Sequence, residues 1–112
     1  MITAATFVLA AAVGALARAG TGSRWNHHDG LALGTLIVNV TGSFMLGLLS
    51  EVTSPTITVL GVAGLGAYTT FSSFARDAVA LAAAKKLFVA VVYVGTSCLL
   101  GVGAAAAGVA LA

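Results

Sequence analysis

Charged residues are scarce in this chain, and their scarcity excludes most classes of soluble protein. Only 7% of the 112 residues are Asp, Glu, Lys or Arg, whereas 60% are hydrophobic. A soluble domain needs more polar surface than this to face water. The net charge of +2 is also too small and too dispersed to indicate a nucleic-acid partner. The composition therefore predicts an integral membrane protein.

Cysteine is nearly absent, and no basic residue precedes the first apolar stretch. The lone Cys98 cannot form an internal disulfide, so we interpret it as a small packing residue. Residues 15–17, Ala-Leu-Ala, have the small-x-small pattern of a signal-peptide cleavage site, which is the alternative interpretation of the N-terminus. A signal peptide usually begins with Lys or Arg, and here Arg18 follows the apolar stretch instead. We therefore interpret this stretch as a membrane span.

The few charges divide the chain into four uncharged stretches, residues 1–17, 30–50, 52–75 and 87–112. A membrane-spanning helix needs about 17–25 apolar residues. The chain is therefore predicted to be one all-α subunit over residues 1–112. Its transmembrane helices are expected at residues 2–19, 31–50, 53–75 and 87–110.

Polar side chains in the second span share one helix face. Thr35, Asn39 and Ser43 recur at intervals of four residues. An unpaired polar group in hydrocarbon costs free energy, so each is expected to face protein, water or an ion. The amide of Asn39 suits either a clasp between helices or a donor to an anion that has lost its water. The spacing leaves both interpretations open.

The third span contains the sequence LGAYTTFSSF at residues 65–74, in which small and hydroxylated residues cluster. Gly64 and Gly66 permit non-helical backbone, and nearby hydroxyls can bond backbone groups that a broken helix releases. We therefore predict a break near residues 66–72. The alternative is a continuous helix whose hydroxyls bond carbonyls one turn earlier.

Aromatic rings follow the expected break. Phe71 and Phe74 share a helix face, which either meets lipid or directs the positive ring edges at an anion. Tyr93 and Ser97 are also four residues apart, in the last span, where each side chain is able to hydrogen-bond a neighbouring helix.

Three motifs together resemble the signatures of one family. They are GALAR at residues 14–18, GTLIVNVTGSF at residues 34–44 and GLGAYTTFSSF at residues 64–74. In order and spacing they resemble the motifs of the Fluc (CrcB) fluoride channels. The resemblance implies passive export of fluoride from the cytoplasm, which lowers its toxicity. It also implies an antiparallel dimer of four-helix subunits with the third helix broken, of the dual-topology type, in the cell membrane.

The resemblance also assigns roles to individual residues. It implies a fluoride path lined by an amide, three rings and a hydroxyl: Asn39, Phe71, Phe74, Tyr93 and Ser97. A structural sodium ion at the dimer centre would be held by the backbone carbonyls of Gly66 and Thr69. Thr70 and Ser72 would support the break, and Arg18 would anchor a helix end or attract anions at the vestibule. No residue is predicted to be catalytic.

The sequence departs from the family pattern at three positions. Tyr68 replaces the usual Phe or Leu, and Ser73 replaces the usual Thr. Both changes keep the chemistry close. Gly101 lies where the polar track often continues with a hydroxyl, which places one wall of one pore in question.

Two other classes of membrane protein remain as alternatives. A small multidrug-resistance-type exporter, also an antiparallel dimer of short helices, exchanges protons for a cationic drug through an acidic residue inside the membrane. Here Glu51 and Asp77 are assigned to span ends, so no acidic residue is expected on the proposed track. A non-conducting structural subunit would need neither Asn39 nor the cluster of hydroxyls.

The basic residues predict the orientation of the chain. All five lie near the loops after the first and third spans: Arg18, Arg24, Arg76, Lys85 and Lys86. The positive-inside rule places these loops in the cytoplasm and both termini outside. A subunit that inserts in both directions needs balanced loops, and these are unbalanced. We therefore expect an antiparallel heterodimer with a second Fluc-type subunit, with a homodimer as the alternative.

Overall fold

The computed structural model describes residues 4–26, 32–53 and 55–112. Residues 2–3, 31 and 54, which belong to the first three predicted spans, lie outside that part of the chain. The helices are, in chain order, α1 (Ala4–Trp25), α2 (Leu33–Leu48), a 3₁₀ turn (Leu49–Glu51), a π-helix (Ile57–Leu65), α3 (Gly66–Tyr68), α4 (Phe71–Ala83) and α5 (Leu87–Leu111).

Four helical spans in the described residues are long and apolar enough to cross a membrane. They are Ala4–Trp25, Leu33–Glu51, Ile57–Ala83 and Leu87–Leu111. The prediction of an all-α membrane protein with four spans is confirmed at this level.

Two spans continue past the charges that end their uncharged stretches. α1 passes Arg18 and runs to Trp25, and the third span passes Arg76 and Asp77 and ends at Ala83. Helical hydrogen bonding does not depend on side-chain charge, and a charged group inside a span is tolerated where it reaches water or a partner. Asp77 has such a partner in α2, described below.

Close backbone approach holds α2 against α5, the pair of elements with the most extensive contact. A Cβ atom built on Gly108 would overlap the carbonyl oxygen of Phe44, and one built on Gly47 would overlap the carbonyl oxygen of Ala105. Small residues at such crossings allow helices to approach closely where lipid offers no hydrophobic driving force. The two glycines therefore fix the distance between α2 and α5.

The third span changes conformation at two threonines. Thr69 (φ −79°, ψ 161°) and Thr70 (φ −151°, ψ 116°) have extended backbone between α3 and α4. The expectation that glycine supplies the non-helical backbone was wrong at Gly66, which is helical with φ −61° and ψ −39°. The Thr69 hydroxyl donates at 2.9 Å to the Leu65 carbonyl, one turn earlier, which also accepts from the Thr69 N–H. The Thr70 hydroxyl accepts from the Ser73 N–H at 3.1 Å and caps α4.

Candidate functional site

The Asn39 amide pairs with the extended backbone of Thr70. Its Nδ2 donates to the Thr70 carbonyl oxygen at 2.9 Å, and its Oδ1 accepts from the Thr70 N–H at 2.7 Å. The Thr70 N–H, which has no acceptor within a helix, is thereby satisfied, and the Thr70 carbonyl, at the N-cap of α4, gains a side-chain donor. Because Nδ2 carries two hydrogens, one donor remains beyond this pair. Asn39 thus forms the clasp foreseen as one of its two roles and keeps a hydrogen for a second acceptor.

A cavity of about 310 Å³ lies beside this clasp. It brings together several of the predicted site residues: Asn39, Gly66, Thr69, Thr70, Phe71 and Phe74. None of its lining residues carries a formal charge. Phe71 is 79% exposed in the single chain, although it lines the cavity. The cavity therefore opens to the surface of the chain on the side of Phe71.

Three aromatic rings form a row that leads from this cavity to α5. The ring centroids of Phe71 and Phe74 are 5.9 Å apart, and those of Phe74 and Tyr93 are 5.4 Å apart. The rings are tilted by 49° and 36° to each other, so that edges as well as faces are presented along the row. The structure thus brings Tyr93 to the two phenylalanines that the sequence placed on one helix face.

Asp77 lies at the end of this aromatic row. Its Oδ2 accepts from the Thr35 hydroxyl at 3.1 Å and from the Tyr93 hydroxyl at 3.5 Å. The expectation that no acidic residue lies on the proposed track was therefore wrong. The sequence reasoning ended the third span before Asp77, whereas α4 continues to Ala83. The spacing of Asp77 three residues after Phe74, on the same helix face, is the signal that could have revealed it.

A second cavity, of about 190 Å³, adjoins the first at Thr70, which lines both. Arg18 lines this smaller cavity, together with Thr35 and Ser73. Its lining therefore combines a cationic side chain with hydroxyls, whereas the larger cavity is uncharged.

Asn26 is a further polar residue of the smaller cavity, and the sequence reasoning missed it. Its Oδ1 accepts from the Thr35 N–H at 3.0 Å, and its Nδ2 lies 3.3 Å from the Thr35 hydroxyl oxygen, to which it donates. Asn26 follows α1 in the connection to α2, where no helical periodicity marks it. Only the folded chain brings it to Thr35.

The remaining predicted residues lie around these cavities. The Ser72 hydroxyl is 3.4 Å from that of Thr70. The Ser97 hydroxyl oxygen is buried and has no hydrogen-bond partner among the described residues. One turn further along α5, a Cβ atom built on Gly101 would lie 3.9 Å from the Ser43 hydroxyl oxygen. This face of α5 is therefore turned toward α2 and the polar residues of its inner face.

The hydroxyl of Tyr68, one of the departures noted in the sequence, lies 2.9 Å from that of Thr41. Thr41 itself donates to the Ile37 carbonyl at 2.6 Å, so the Tyr68 hydroxyl is the donor of this pair. Thr41 is exposed on the outer face of α2 and lines neither of the two polar cavities. The hydroxyl at position 68 is thereby satisfied away from the candidate site.

Comparison with known proteins gives a consistent result. The family model described as CrcB-like protein, Camphor Resistance (CrcB), matches residues 5–109. A protein of Rhizobium meliloti (strain 1021) named Fluoride-specific ion channel FluC is 41% identical over 103 residues, covering 86% of this chain and 76% of that protein. The protein of that name from Rhodospirillum centenum is 40% identical over 108 residues, covering 88% and 86%. Fluoride-specific ion channel FluC 2 of Rhodococcus jostii is 35% identical over 106 residues, covering 93% of both chains.

Proposed function

Since this chain belongs to the CrcB family, we propose that it is a fluoride channel subunit through which fluoride leaves the cytoplasm passively, so that its toxicity falls. The family match confirms the resemblance drawn from the three motifs. The observation that carries the proposal is the uncharged cavity lined by Phe71, Phe74 and Asn39, whose amide has one hydrogen beyond its bond to Thr70. A channel, unlike an enzyme, needs no catalytic group there.

The chemistry of fluoride fits this arrangement. Fluoride is small and holds its water tightly, so a selective passage must replace that water with hydrogen-bond donors while binding weakly enough at each point to release the ion. The Asn39 amide supplies a donor, and the edges of Phe71 and Phe74 supply partial positive charge. The Tyr93 and Ser97 hydroxyls continue the track along α5. Arg18 raises the local concentration of anions at the smaller cavity.

The third-span backbone fits a structural sodium ion held by carbonyl oxygens. In a continuous helix the Thr70 N–H would bond the Gly66 carbonyl, but here it donates to Asn39. Likewise the Ser73 N–H would bond the Thr69 carbonyl, but here it donates to the Thr70 hydroxyl. Both carbonyls assigned to sodium are thus released from their helical donors. No group of acidic, His or Cys side chains in the described residues competes as a metal site.

A second subunit in antiparallel orientation would complete the site. The 79% exposure of Phe71 beside an open cavity supports a partner that covers it. The unbalanced basic residues favour a heterodimer with a homologous subunit. Numbered relatives, FluC 2 of Rhodococcus jostii and FluC 3 of Yersinia pestis, support the presence of more than one such protein in a cell.

The proposed function is tested by fluoride release from liposomes. The purified chain is reconstituted alone, and with a homologous subunit encoded in the same genome if one exists. Efflux is followed with fluoride- and chloride-selective electrodes. We expect fluoride efflux without chloride efflux from at least one preparation. Chloride efflux at a similar rate, or drug-dependent proton exchange instead of fluoride release, would contradict the proposal.

The proposed orientation is tested by labelling cysteines from outside the cell. In a Cys98→Ala background, single cysteines replace Thr53 and Ala84, which lie in the exposed connections after α2 and after α4. We expect labelling at position 53 and none at position 84, because the basic loops are cytoplasmic. Equal labelling at both positions would indicate insertion in both directions and favour the homodimer.

A further inference from the structure

The Asn26 side chain occupies a notch between the end of α1 and the start of α2. A Cβ atom built on Gly34 would lie 2.9 Å from Asn26 Oδ1, and one built on Gly22 would lie 3.2 Å from Asn26 Nδ2. The backbone of Asn26 also pairs with that of Ala32 in an isolated antiparallel bridge. The two glycines leave room for the amide, and the bridge fixes the backbone that carries it.

The Thr35 backbone sets the orientation of this amide. Because the Thr35 N–H is a donor, the atom that faces it at 3.0 Å must be Oδ1 of Asn26. Thr35 lies in the first turn of α2, where Ala32 offers no side-chain cap, so Asn26 satisfies an N–H that the helix leaves unpaired. The Nδ2 group is then directed at the Thr35 hydroxyl.

The direction of each bond in the resulting chain follows from what the groups can donate. Nδ2 of Asn26 can only donate, so the Thr35 hydroxyl oxygen accepts from it and its single hydrogen is left for Asp77, 3.1 Å away. Oδ2 of Asp77 accepts the Thr35 hydrogen, and the Tyr93 hydroxyl donates to the same oxygen. The chain of bonds therefore runs from Asn26 through Thr35 to Asp77.

We propose that Asn26 is a positioning residue of the fluoride path, which acts through Thr35 to keep the Asp77 carboxylate paired. This inference rests on the proposed function. The carboxylate lies where the aromatic row meets Thr35 of the smaller cavity, and a negative charge without its donors at that point repels an approaching anion. By fixing the Thr35 proton on Asp77, Asn26 reduces that repulsion.

The variant Asn26→Asp tests the direction of the hydrogen bonds from Asn26 through Thr35 to Asp77. One oxygen of the new carboxylate still accepts from the Thr35 N–H, so the cap of α2 is kept. The other oxygen can no longer donate, and it competes with Asp77 for the Thr35 proton. We expect the initial rate of fluoride efflux to fall about tenfold or more, the factor that corresponds to the loss of a hydrogen bond to a charged group.

The double variant Asn26→Asp/Asp77→Asn is the matched rescue. It exchanges the two groups and keeps their total charge. The amide at position 77 then donates to the Thr35 hydroxyl, and the Thr35 hydroxyl donates to position 26. The same series of hydrogen bonds therefore forms in the opposite direction. We expect efflux to return to within about threefold of the parent, since a carboxylate again holds the Thr35 proton and the second hydrogen of the position-77 amide can donate to the Tyr93 hydroxyl oxygen. A purely structural role of position 26 predicts no such recovery, and a purely electrostatic role is tested by the Ser23→Asp control.

Two controls complete the experiment. Ser23→Asp adds a negative charge to the same cavity without a bond to Thr35, and we expect a smaller loss than with Asn26→Asp. An equal loss, or a double variant as slow as Asn26→Asp alone, would overturn the inference. If the parent releases no fluoride, the proposed function fails separately. The double-mutant cycle of unfolding free energies then still decides the pairing, because an absence of coupling between positions 26 and 77 overturns it.

Discussion

The two halves of α2 are held in place by opposite means. The first half carries Thr35 and Asn39, whose side chains bond the connection after α1 and the interrupted third span. The second half meets α5 at Gly47, where the absence of a side chain allows the backbones to touch. In lipid, polar groups must be paired within the protein, whereas apolar helices gain most from close packing. We therefore expect substitutions at the glycine contact of the second half to abolish folding, and substitutions of the polar side chains in the first half to reduce ion flux in a folded protein.

The largest effect is expected at the glycine contact between α2 and α5. Gly108→Leu places a side chain where a Cβ atom already overlaps the Phe44 carbonyl. We expect no monodisperse folded protein on a sizing column, because overpacking against backbone cannot be relieved by a rotamer change. Gly103→Leu is the control on the same helix, since nothing in the described chain lies within 4 Å of a Cβ atom there. A folded Gly108→Leu protein with the thermal stability of the parent would contradict the claim that close glycine packing holds α2 against α5.

A large loss of flux without loss of fold is expected at Asn39. Asn39→Asp keeps the bond from the Thr70 N–H but places a carboxylate oxygen against the Thr70 carbonyl, 2.9 Å away in the parent. It also removes the donor hydrogens, so fluoride efflux is expected to fall about tenfold or more while the proposed dimer persists on a sizing column. Thr41→Val, on the outer face of α2, should leave efflux near the parent rate. Unchanged efflux from a folded Asn39→Asp protein would indicate that Asn39 only links the helices and donates no hydrogen bond to fluoride.

The smallest effect is expected at Gly101, where the proposed polar track lacks a hydroxyl. The nearest atom to a Cβ atom there is the Ser43 hydroxyl oxygen, 3.9 Å away, so Gly101→Ser fits without a clash. The added hydroxyl of α5 brings a polar group to the second half of α2, which otherwise meets α5 through close backbone packing. We expect fluoride efflux to rise about twofold, in keeping with one neutral hydrogen bond. A fall in efflux would indicate that the gap at Gly101 is needed for passage.

Much of the fold followed from the distribution of charge and hydroxyl groups. The uncharged stretches indicated four spans, because a span cannot be interrupted often by unpaired charge. The hydroxyl cluster also indicated where the third span changes, although Thr69 and Thr70, not Gly66, have the extended backbone. Threonine can adopt extended backbone and also bond the released groups, so glycine is not required there.

The polar contacts of the site were harder to predict. Thr35 and Asp77 are 42 residues apart in sequence, and helical periodicity relates only residues of one helix. Asp77 was assigned to a boundary because it is charged, although two hydroxyl donors make its place inside the bundle tolerable. Asn26 lies in a connection, where no pattern indicates which helix its side chain will bond.

The most direct test compares two phenylalanines of nearly equal exposure. Phe71 is 79% exposed beside the uncharged cavity, and Phe88 is 81% exposed on α5, lining neither polar cavity. Replacing either by Ile removes the ring edges and keeps an apolar side chain. The measurement is the initial rate of fluoride efflux from liposomes that hold equal amounts of folded protein. We predict a fall of about tenfold or more for Phe71→Ile and a rate within about twofold of the parent for Phe88→Ile. Equal rates for both variants would contradict a fluoride path along the ring of Phe71.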